Sequence, residues 1–412
     1  MLPVFYEDQL VGHITRDKVG LTFAYSPEWL SQKNSFAISV SMPLREGEFE
    51  NSVATPWFAN LLPEERQLEV IGRLLGRSQG DVYGLLEKIG RETAGALSIG
   101  VSESTNDAQY RKLDDVQLAQ AIAQLPERPL LIGEGGVTMS LAGAQSKLTV
   151  AVFDGNILLP LNGAASTHIL KPASDRLHAT VENELFCMHL AAHVGLPTAS
   201  TTMATALDKK YLLVERYDRH LSADRKVHRD HQEDFCQALS IYPTNKHESG
   251  GGPGFANLFS VIDEHSKQRA RDRLHLLDLI VFSCCIGDTD RHGKNYSLML
   301  TDDGPRLAPA YDLMTALIYQ NITRNLAMKI ADKSRAEHLH KRHWERFASS
   351  VGLSPSATPR RVNQIAEAVS SGAQRIATEL SNRFQVNGES LRLISDSIQH
   401  NAERVARNSQ RN

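Results

Sequence analysis

The hydrophobic pattern of the chain changes from strand-like to helical spacing at about residue 230, and this change limits the fold more than any other feature. Upstream, short apolar runs of strand length occur at 148–153, 157–161, 167–170 and 211–214, with one helical stretch at 181–194. Downstream, apolar residues recur at the spacing of amphipathic helices. Strands and helices that are segregated along a chain are typical of an α+β fold.

Two polar stretches divide the strand-rich part of the chain. The segment 102–115 lacks apolar periodicity, and the sequence AQLPERP at 123–129 carries two prolines. At 412 residues the chain exceeds what one hydrophobic core usually organises. We therefore predict a small α+β unit at 1–104, a strand-rich unit at 130–219 and a helical unit at 220–412.

The composition disfavours several classes of protein. A net charge of −3 gives no general attraction for nucleic acid, so any DNA contact is expected to be local or through a partner. No apolar run reaches the roughly 20 residues of a membrane helix, and the first residues lack the features of a secretory signal, so we expect a cytoplasmic protein. The four cysteines lie in apolar stretches without a C-x-x-C motif, which favours buried free thiols.

The most specific motif is GDTDRHGKN at 287–295, followed by LAPAYDLM at 307–314. Phosphoryl transfer needs an acceptor group near the incoming hydroxyl and oxygen ligands for Mg²⁺. Asp290 and Asn295 have the D-x-x-x-x-N spacing of a kinase catalytic loop, and Asp312 follows about twenty residues later, after a predicted hairpin. His292 is better placed to hydrogen-bond a phosphate than to bind Mg²⁺. A polar turn after a buried helix remains the alternative.

Two upstream segments suit phosphate binding. The small residues of SLAGAQSK at 140–147 let backbone N–H groups approach a phosphate and Lys147 adds a charge, although a tight structural turn explains the segment equally well. Lys171 follows a predicted strand and Glu184 lies on the next helix, which resembles a phosphate-binding lysine oriented by an ion pair. A solvated lysine and glutamate would look the same in sequence.

The tripeptide His228-Arg229-Asp230 has the H-R-D sequence of a kinase catalytic loop but lacks the D-x-x-x-x-N spacing to an asparagine. The position five residues beyond Asp230 is Phe235, which cannot hold a metal ion. We therefore interpret Asp230 as a surface residue.

Taken in order along the chain, the motifs resemble those of the HipA family of serine/threonine kinase toxins over nearly the whole length. VFYEDQLVGHI, SVSMPL, FANLLPEE and KIGRETAGALSI are similar to the family's N-terminal subdomain. SLAGAQSKL, STHILKP, ENELF, LLVERYDR, QEDFCQ, ESGGGPG, GDTDRHGKN and PAYDLM then follow in the family's order. Chance agreement at so many separated places is negligible.

The resemblance implies a two-lobed protein-kinase-like core with a mostly helical C-terminal lobe and an N-terminal α+β subdomain. It implies that ATP and Mg²⁺ are used to phosphorylate serine or threonine on a protein. By position, Asp290 is the catalytic base, Asn295 and Asp312 are the metal ligands, and Ser140 is the autophosphorylated serine, whose modification is associated with loss of ATP binding. The residues implied to bind the nucleotide are Ala142, Gly143, Ala144, Gln145, Ser146, Lys147, Lys171, Glu215, Arg216, Tyr217, His292, Asn295, Tyr311 and Asp312.

The resemblance also implies partners, and it leaves alternatives open. The expected partners are a HipB-like helix-turn-helix antitoxin, operator DNA through that antitoxin, and a protein substrate such as an aminoacyl-tRNA synthetase, with no membrane. Ser146 stands where the family commonly has glutamate, so a second phosphoacceptor besides Ser140 is left open. A small-molecule phosphotransferase would use the same base and metal ligands. A corepressor acting mainly with a DNA-binding antitoxin is disfavoured, because it need not keep those residues.

Overall fold

The computed structural model describes residues 1–102, 108–143, 145–222, 226–301, 303–386 and 388–411. Contacts group them into two compact units. The first unit comprises residues 1–172, 205–244 and 298–304, and the second comprises 173–204, 245–297 and 305–412. The boundaries at 104, 130 and 219 stay predictions.

The first unit begins with an antiparallel sheet of order β4-β3-β2-β1-β5. Its strands are β1 (Leu2–Tyr6), β2 (Gln9–Arg16), β3 (Leu21–Tyr25), β4 (Glu48–Phe49) and β5 (Leu97–Ile99). Burial alternates along β3, as it must when one face of a sheet covers a core. The buried face packs with large side chains such as Trp29, Trp57 and Phe58. The accompanying helices are α1 (Pro27–Ser31), α2 (Asn51–Ala59), α3 (Glu65–Leu75) and α4 (Val82–Ile89).

A second sheet of the first unit carries the strands predicted from the sequence. Its strands are β6 (Gln109–Lys112), β7 (Leu148–Phe153), β8 (Asn156–Leu161), β9 (His168–Pro172) and β11 (Lys209–Glu215), in the order β11-β9-β7-β8-β6. β10 (Thr201–Ala206) has residues in both units. Leu148 to Val150 pair antiparallel with β9. The segment 102–115 contains β6, whose four residues are exposed, which explains why it shows no apolar alternation.

Shorter elements complete the first unit. They are α5 (Asp115–Gln124), β12 (Arg219–Leu221), β13 (Val227–Arg229), β14 (Gln232–Asp234) and α7 (Phe235–Ala238). Helix α5 begins at a capping box, in which Asp114 accepts from the backbone N–H of Gln117 and the Gln117 side chain accepts from the Asp114 N–H. Residues of β15 (Ser297–Thr301) and β16 (Gly304–Leu307) are divided between the units.

The second unit is mostly helical, as the change of period predicts. Its helices are α6 (Thr180–His193), α8 (Phe255–His265), α9 (Arg269–Ile286), α10 (Lys341–Ser350), α11 (Thr358–Phe384) and α12 (Gly388–Gln410). The long pair α11 and α12 packs together and against α6 and α9. Every residue from Leu276 to Ile286 is buried, which is typical of a helix at the centre of a bundle.

The four cysteines are buried free thiols, as predicted. Among the described residues, no helix is both long enough and apolar enough to cross a membrane.

Candidate active site

The loop that carries Asp290 begins where the central helix α9 ends. Gly287 ends the helix in the left-handed conformation, with φ of +67°, and a Cβ there would lie 2.6 Å from the Leu317 side chain, so glycine is required. The side-chain amide of Asn401 donates to the carbonyl oxygens of Cys284 and Cys285, at 2.9 and 2.7 Å. These bonds satisfy the last carbonyls of α9 and fix the point from which the loop departs.

Backbone hydrogen bonds hold the loop in one conformation. The Asp290 N–H donates to the carboxylate of Asp288 at 3.0 Å, and the His292 N–H donates to the Asp290 carbonyl at 2.9 Å. The side-chain amide of Asn295 donates to the same carbonyl at 2.8 Å, and its backbone N–H donates to His292. Asp290 is exposed, whereas His292 and Asn295 are buried. The loop therefore presents the Asp290 carboxylate outward from a fixed backbone.

Arg291 fastens this loop to the segment that carries Asp312. Its guanidinium donates to the carbonyl oxygens of Tyr311, at 2.9 Å, and Asn295, at 2.8 Å, and lies 4.7 Å from the centre of the Tyr296 ring. The Tyr311 hydroxyl in turn donates to the Lys294 carbonyl at 2.7 Å. The structure thus brings Asp290, Asn295 and the neighbour of Asp312 together, as the predicted hairpin required.

Asp288 is a buried acid in the same loop that the motif analysis did not single out. Burial raises the pKa of its carboxyl to about 7. The Arg291 guanidinium and the Asp290 N–H oppose this rise, and the charges of Asp290 and Asp312 add to it. The Asp288 carboxylate accepts from the Asp290 N–H, so this buried acid helps to hold the backbone of the loop.

The segment 245–252, which ends in a glycine turn at 250–252, contacts the loop. The Gly293 N–H donates to the Lys246 carbonyl at 3.2 Å, and the rings of His247 and His292 lie at right angles with their centres 4.8 Å apart. The His247 carbonyl accepts from the N–H groups of Gly250 and Gly252. A Cβ at Gly252 would lie 2.0 Å from the Asn245 carbonyl oxygen, so this turn also requires glycine.

In the first unit, Ser140 and the residues up to Gly143 lie in a turn that hydrogen bonds hold in place. Ser140 is fully buried; its hydroxyl donates to the Leu61 carbonyl at 2.8 Å and its N–H donates to the Glu92 carbonyl at 2.8 Å. Gly143 has a φ of +112°, and the Lys147 ammonium donates to the Ala142 carbonyl. Gln145 and Ser146 are half-buried. The prediction for Ala144 lies outside the described residues.

Lys171 lies in the middle of the second sheet of the first unit. It is buried on β9 and pairs with Leu212 of β11. Glu184, the predicted orienting acid, is buried on α6 of the second unit. Their ion pair stays a prediction.

The segment 215–217 does not offer all of its side chains for binding. Glu215 is exposed at the end of β11. The Arg216 guanidinium is buried in ion pairs with Glu92 and Asp218, at 3.0 and 2.7 Å. The Tyr217 hydroxyl donates to the Gln232 side chain. Arg216 is therefore held as a structural residue within the first unit, and a nucleotide could meet it only through other atoms.

Sequence reasoning missed Asp288, Arg291 and His247. Asp288 and Arg291 lie inside the motif but look like surface charges in a polar run, and only their burial shows that they hold the loop. His247 carries no spacing signal relative to residue 290. Asp230 is partly exposed and paired with His220 at 3.2 Å, consistent with its interpretation as a surface residue.

Two domain models of one protein family match this chain. The HipA N-terminal domain matches residues 2–100, and the HipA-like C-terminal domain matches residues 139–375. A putative kinase, Y4mE of Sinorhizobium fredii, is 37% identical over 98% of both chains. The serine/threonine-protein kinase toxin HipA of Shewanella oneidensis is 29% identical over 88% of this chain and 86% of its own. The structure of HipA from Shewanella oneidensis MR-1, solved with HipB and its operator DNA, matches with a TM-score of 0.85 and 25% identity, over 99% of this chain and 96% of that one.

Proposed function

Because this chain belongs to the HipA family of kinases, we propose that it is an ATP- and Mg²⁺-dependent serine/threonine protein kinase. The observation that carries the proposal is the loop 288–295, which presents Asp290 outward while Arg291 ties it to Tyr311, next to Asp312. A pure scaffold has no need to hold an exposed carboxylate on a backbone fixed in this way.

Asp290 accepts the proton of the attacking hydroxyl in the proposed reaction. Its carboxylate only accepts hydrogen bonds, and three hydrogen bonds fix the backbone that carries it. The Asp290 N–H donates to the Asp288 carboxylate, and the Asp290 carbonyl accepts from the His292 N–H and from the Asn295 side-chain amide. Fixing the base in this way reduces the entropy that must be lost on reaching the transition state. General base catalysis of this kind contributes roughly 10²- to 10⁴-fold to the rate.

Asn295 and Asp312 suit the metal ligands of the proposed reaction. The Asn295 amide nitrogen donates to the Asp290 carbonyl, which orients the amide so that its oxygen is the atom left for a cation. Asp312 adopts a φ of +56°, a left-handed conformation that aspartate tolerates better than most residues. Bound Mg²⁺ would supply charge neutralisation for the transferring phosphoryl group.

The proposed phosphate and adenine contacts are carried over from the family resemblance. Lys171 and the segment 142–147 are assigned to the phosphates, and the backbone of 215–217 is assigned to the adenine. Gly143 supports this assignment, since its positive φ turns the backbone as phosphate-binding turns require. Because Lys171 lies in the middle of a sheet, its backbone is held in place, which limits the positions that its ammonium can reach.

The proposed partners follow from the relatives. The HipA structure was solved with HipB and its operator DNA, so we expect a HipB-like helix-turn-helix antitoxin for this chain and operator DNA contact through it. The proposed substrate is a protein of translation such as an aminoacyl-tRNA synthetase. Ser140 is the proposed site of autophosphorylation.

The proposal is tested by phosphoproteomics after brief expression of the wild type and of Asp290→Ala. New phosphoserine or phosphothreonine sites are expected with the wild type alone, since Asp290 is exposed and its loss leaves the fold intact. Consumption of ATP without new phosphoproteins would instead indicate a small-molecule phosphotransferase. Equal phosphorylation by a correctly folded Asp290→Ala variant would refute the assignment of the base.

A further inference from the structure

A group of three side chains in the second unit has the composition of a transition-metal site. The metal-binding atoms of His247, Asp290 and His292 all lie within 4.8 Å of one another. His247 is half-buried, His292 is buried and Asp290 is exposed, so the group lies at the surface with its imidazoles set inward. In the part of the chain that the structure describes, no other three such residues converge in this way.

The backbone brings the two imidazoles together independently of any ligand. The Gly293 N–H donates to the Lys246 carbonyl, which fastens the neighbours of His292 and His247 to each other. The His247 carbonyl accepts two hydrogen bonds from the glycine turn that follows, at 3.0 and 2.9 Å. The perpendicular rings, with centres 4.8 Å apart, are close enough for both to reach one ion.

The donor set selects the kind of metal. Two imidazole nitrogens and one carboxylate oxygen bind Zn²⁺ or Co²⁺ well, whereas Mg²⁺ prefers oxygen ligands alone. Bonds of about 2.0–2.2 Å in a tetrahedron place donor atoms roughly 3.4 Å apart, so a pair at the 4.8 Å limit must close by about 1.4 Å through side-chain rotation. Asp290 is at the exposed end of the group and has room for that movement.

We propose that His247, Asp290 and His292 form an inhibitory Zn²⁺ site, separate from the Mg²⁺ ligands Asn295 and Asp312. Zn²⁺ withdraws electron density from a bound carboxylate and makes it a weaker base, so occupancy of the site slows phosphoryl transfer. The inhibitory effect rests on the proposed role of Asp290 as base. The binding itself does not depend on that role.

Metal binding is measured first, on untagged full-length protein without nucleotide and in excess Mg²⁺. Equilibrium dialysis against Zn²⁺ is expected to give one ion per chain, and Co²⁺ is expected to give the visible absorption of a four- or five-coordinate site. His247→Ala removes one of three protein ligands, so it should weaken Zn²⁺ binding by at least the roughly 10- to 100-fold that loss of a ligand's hydrogen-bond partner costs. His338→Ala is the matched control; this exposed histidine lies outside the group, and its loss should not change Zn²⁺ affinity.

Inhibition is measured second, as the ratio of kinase activity with and without Zn²⁺ within each variant. The wild type and His338→Ala should be inhibited, and His247→Ala and His247→Asn should resist. No Co²⁺ absorption in the wild type, or equal Zn²⁺ affinity in His247→Ala, overturns the site. Zn²⁺ binding without inhibition overturns the inhibitory role. A preparation without kinase activity still tests the binding, so failure of the proposed function is told apart from failure of the metal site.

Discussion

The Arg291 guanidinium donates a 2.9 Å hydrogen bond to the backbone carbonyl of Tyr311, the residue before Asp312. Through this bond and its partner to Asn295, one buried cation fixes the spacing between the loop of the proposed base and the segment of a proposed metal ligand. The guanidinium can donate to both carbonyl oxygens at once because it is planar and holds its N–H donors in a fixed fork.

Arg291→Lys is expected to lower phosphoryl transfer by roughly a hundredfold, the order that a displacement of about 1 Å costs. Lysine keeps the charge but cannot donate to both carbonyls in the same geometry. The measurement is kcat for ATP-dependent phosphorylation, with thermal unfolding as a check on the fold. A kcat equal to that of the wild type would show that the Arg291 guanidinium does not position Asp290 relative to Asp312.

Much of this arrangement could be predicted from the sequence. The spacing of Asp290 and Asn295 predicts a catalytic loop, and the hairpin predicted after it returns Asp312 to that loop. Both predictions are possible because the residues in contact lie close together in the sequence. The strands at 148–153 and 211–214 could be predicted for a similar reason, since their apolar runs mark buried strands.

The rest depends on contacts between distant residues. Nothing in the pattern distinguishes the buried Arg216 from a surface arginine, because its partner Glu92 lies 124 positions away. The strand Gln109–Lys112 has no buried face and therefore no alternation to detect. His247 lies beside His292 where the Gly293 N–H donates to the Lys246 carbonyl, a contact between distant residues that spacing rules do not describe.

Glu92 is expected to be a major source of stability in the first unit. It is buried and accepts from Arg216 at 3.0 Å, from Arg219 at 3.0 Å and from Ser166 at 3.0 Å. Burial alone would raise the pKa of Glu92, but Arg216 and Arg219 outweigh it and lower the pKa. Glu92→Gln would leave two buried guanidinium groups with too little negative charge, at a cost of about 3–5 kcal/mol.

Urea unfolding followed by tryptophan fluorescence measures this cost, since Trp29 and Trp57 lie in the first unit. Glu69→Gln is the matched control. Its exposed pair with Arg73, at 3.4 Å, should contribute less than about 1 kcal/mol. Equal loss of stability in the two variants would show that the buried network contributes no more than a surface pair.

Glu233 makes the stability of the first unit depend on pH. Its carboxylate accepts from the Val40 N–H at 2.8 Å and the Trp57 indole at 3.0 Å, yet burial raises its pKa to about 7. The folded state therefore binds more protons than the unfolded state between pH 4.5 and about 7, and stability falls as pH rises through this range. The contribution is about 3 kcal/mol at most.

Glu233→Gln removes this titration. The free energy of unfolding of the variant should fall less than that of the wild type between pH 5 and about 8, measured by urea unfolding at each pH. Asp288, whose pKa is also raised to about 7, titrates in both proteins, so the difference between them isolates Glu233. Parallel pH profiles would contradict the raised pKa.

Phosphorylation of Ser140 is expected to displace the turn that contains it. Ser140 is fully buried, and its hydroxyl donates to the Leu61 carbonyl, so an attached phosphate would meet a carbonyl acceptor and would have no space. A phosphate also adds roughly −1.5 to −2 charge, which repels the phosphates of a nucleotide. The turn must leave its position when Ser140 is modified, and nucleotide affinity should fall with it.

The wild type, Ser140→Ala, Ser146→Ala and the double variant are incubated with ATP and Mg²⁺, the phosphorylated sites are mapped by mass spectrometry, and nucleotide is then titrated. Ser140→Ala should keep its nucleotide affinity for longer than the wild type. It loses only one hydroxyl hydrogen bond, which is worth about 1 kcal/mol, so its fold should persist. Ser146 is half-buried, so phosphate can be added to it without displacement of the turn, and the mapped sites show whether it substitutes for Ser140 as acceptor. Equal nucleotide binding by Ser140-phosphorylated and unmodified protein would show that the buried position of Ser140 does not act as a switch.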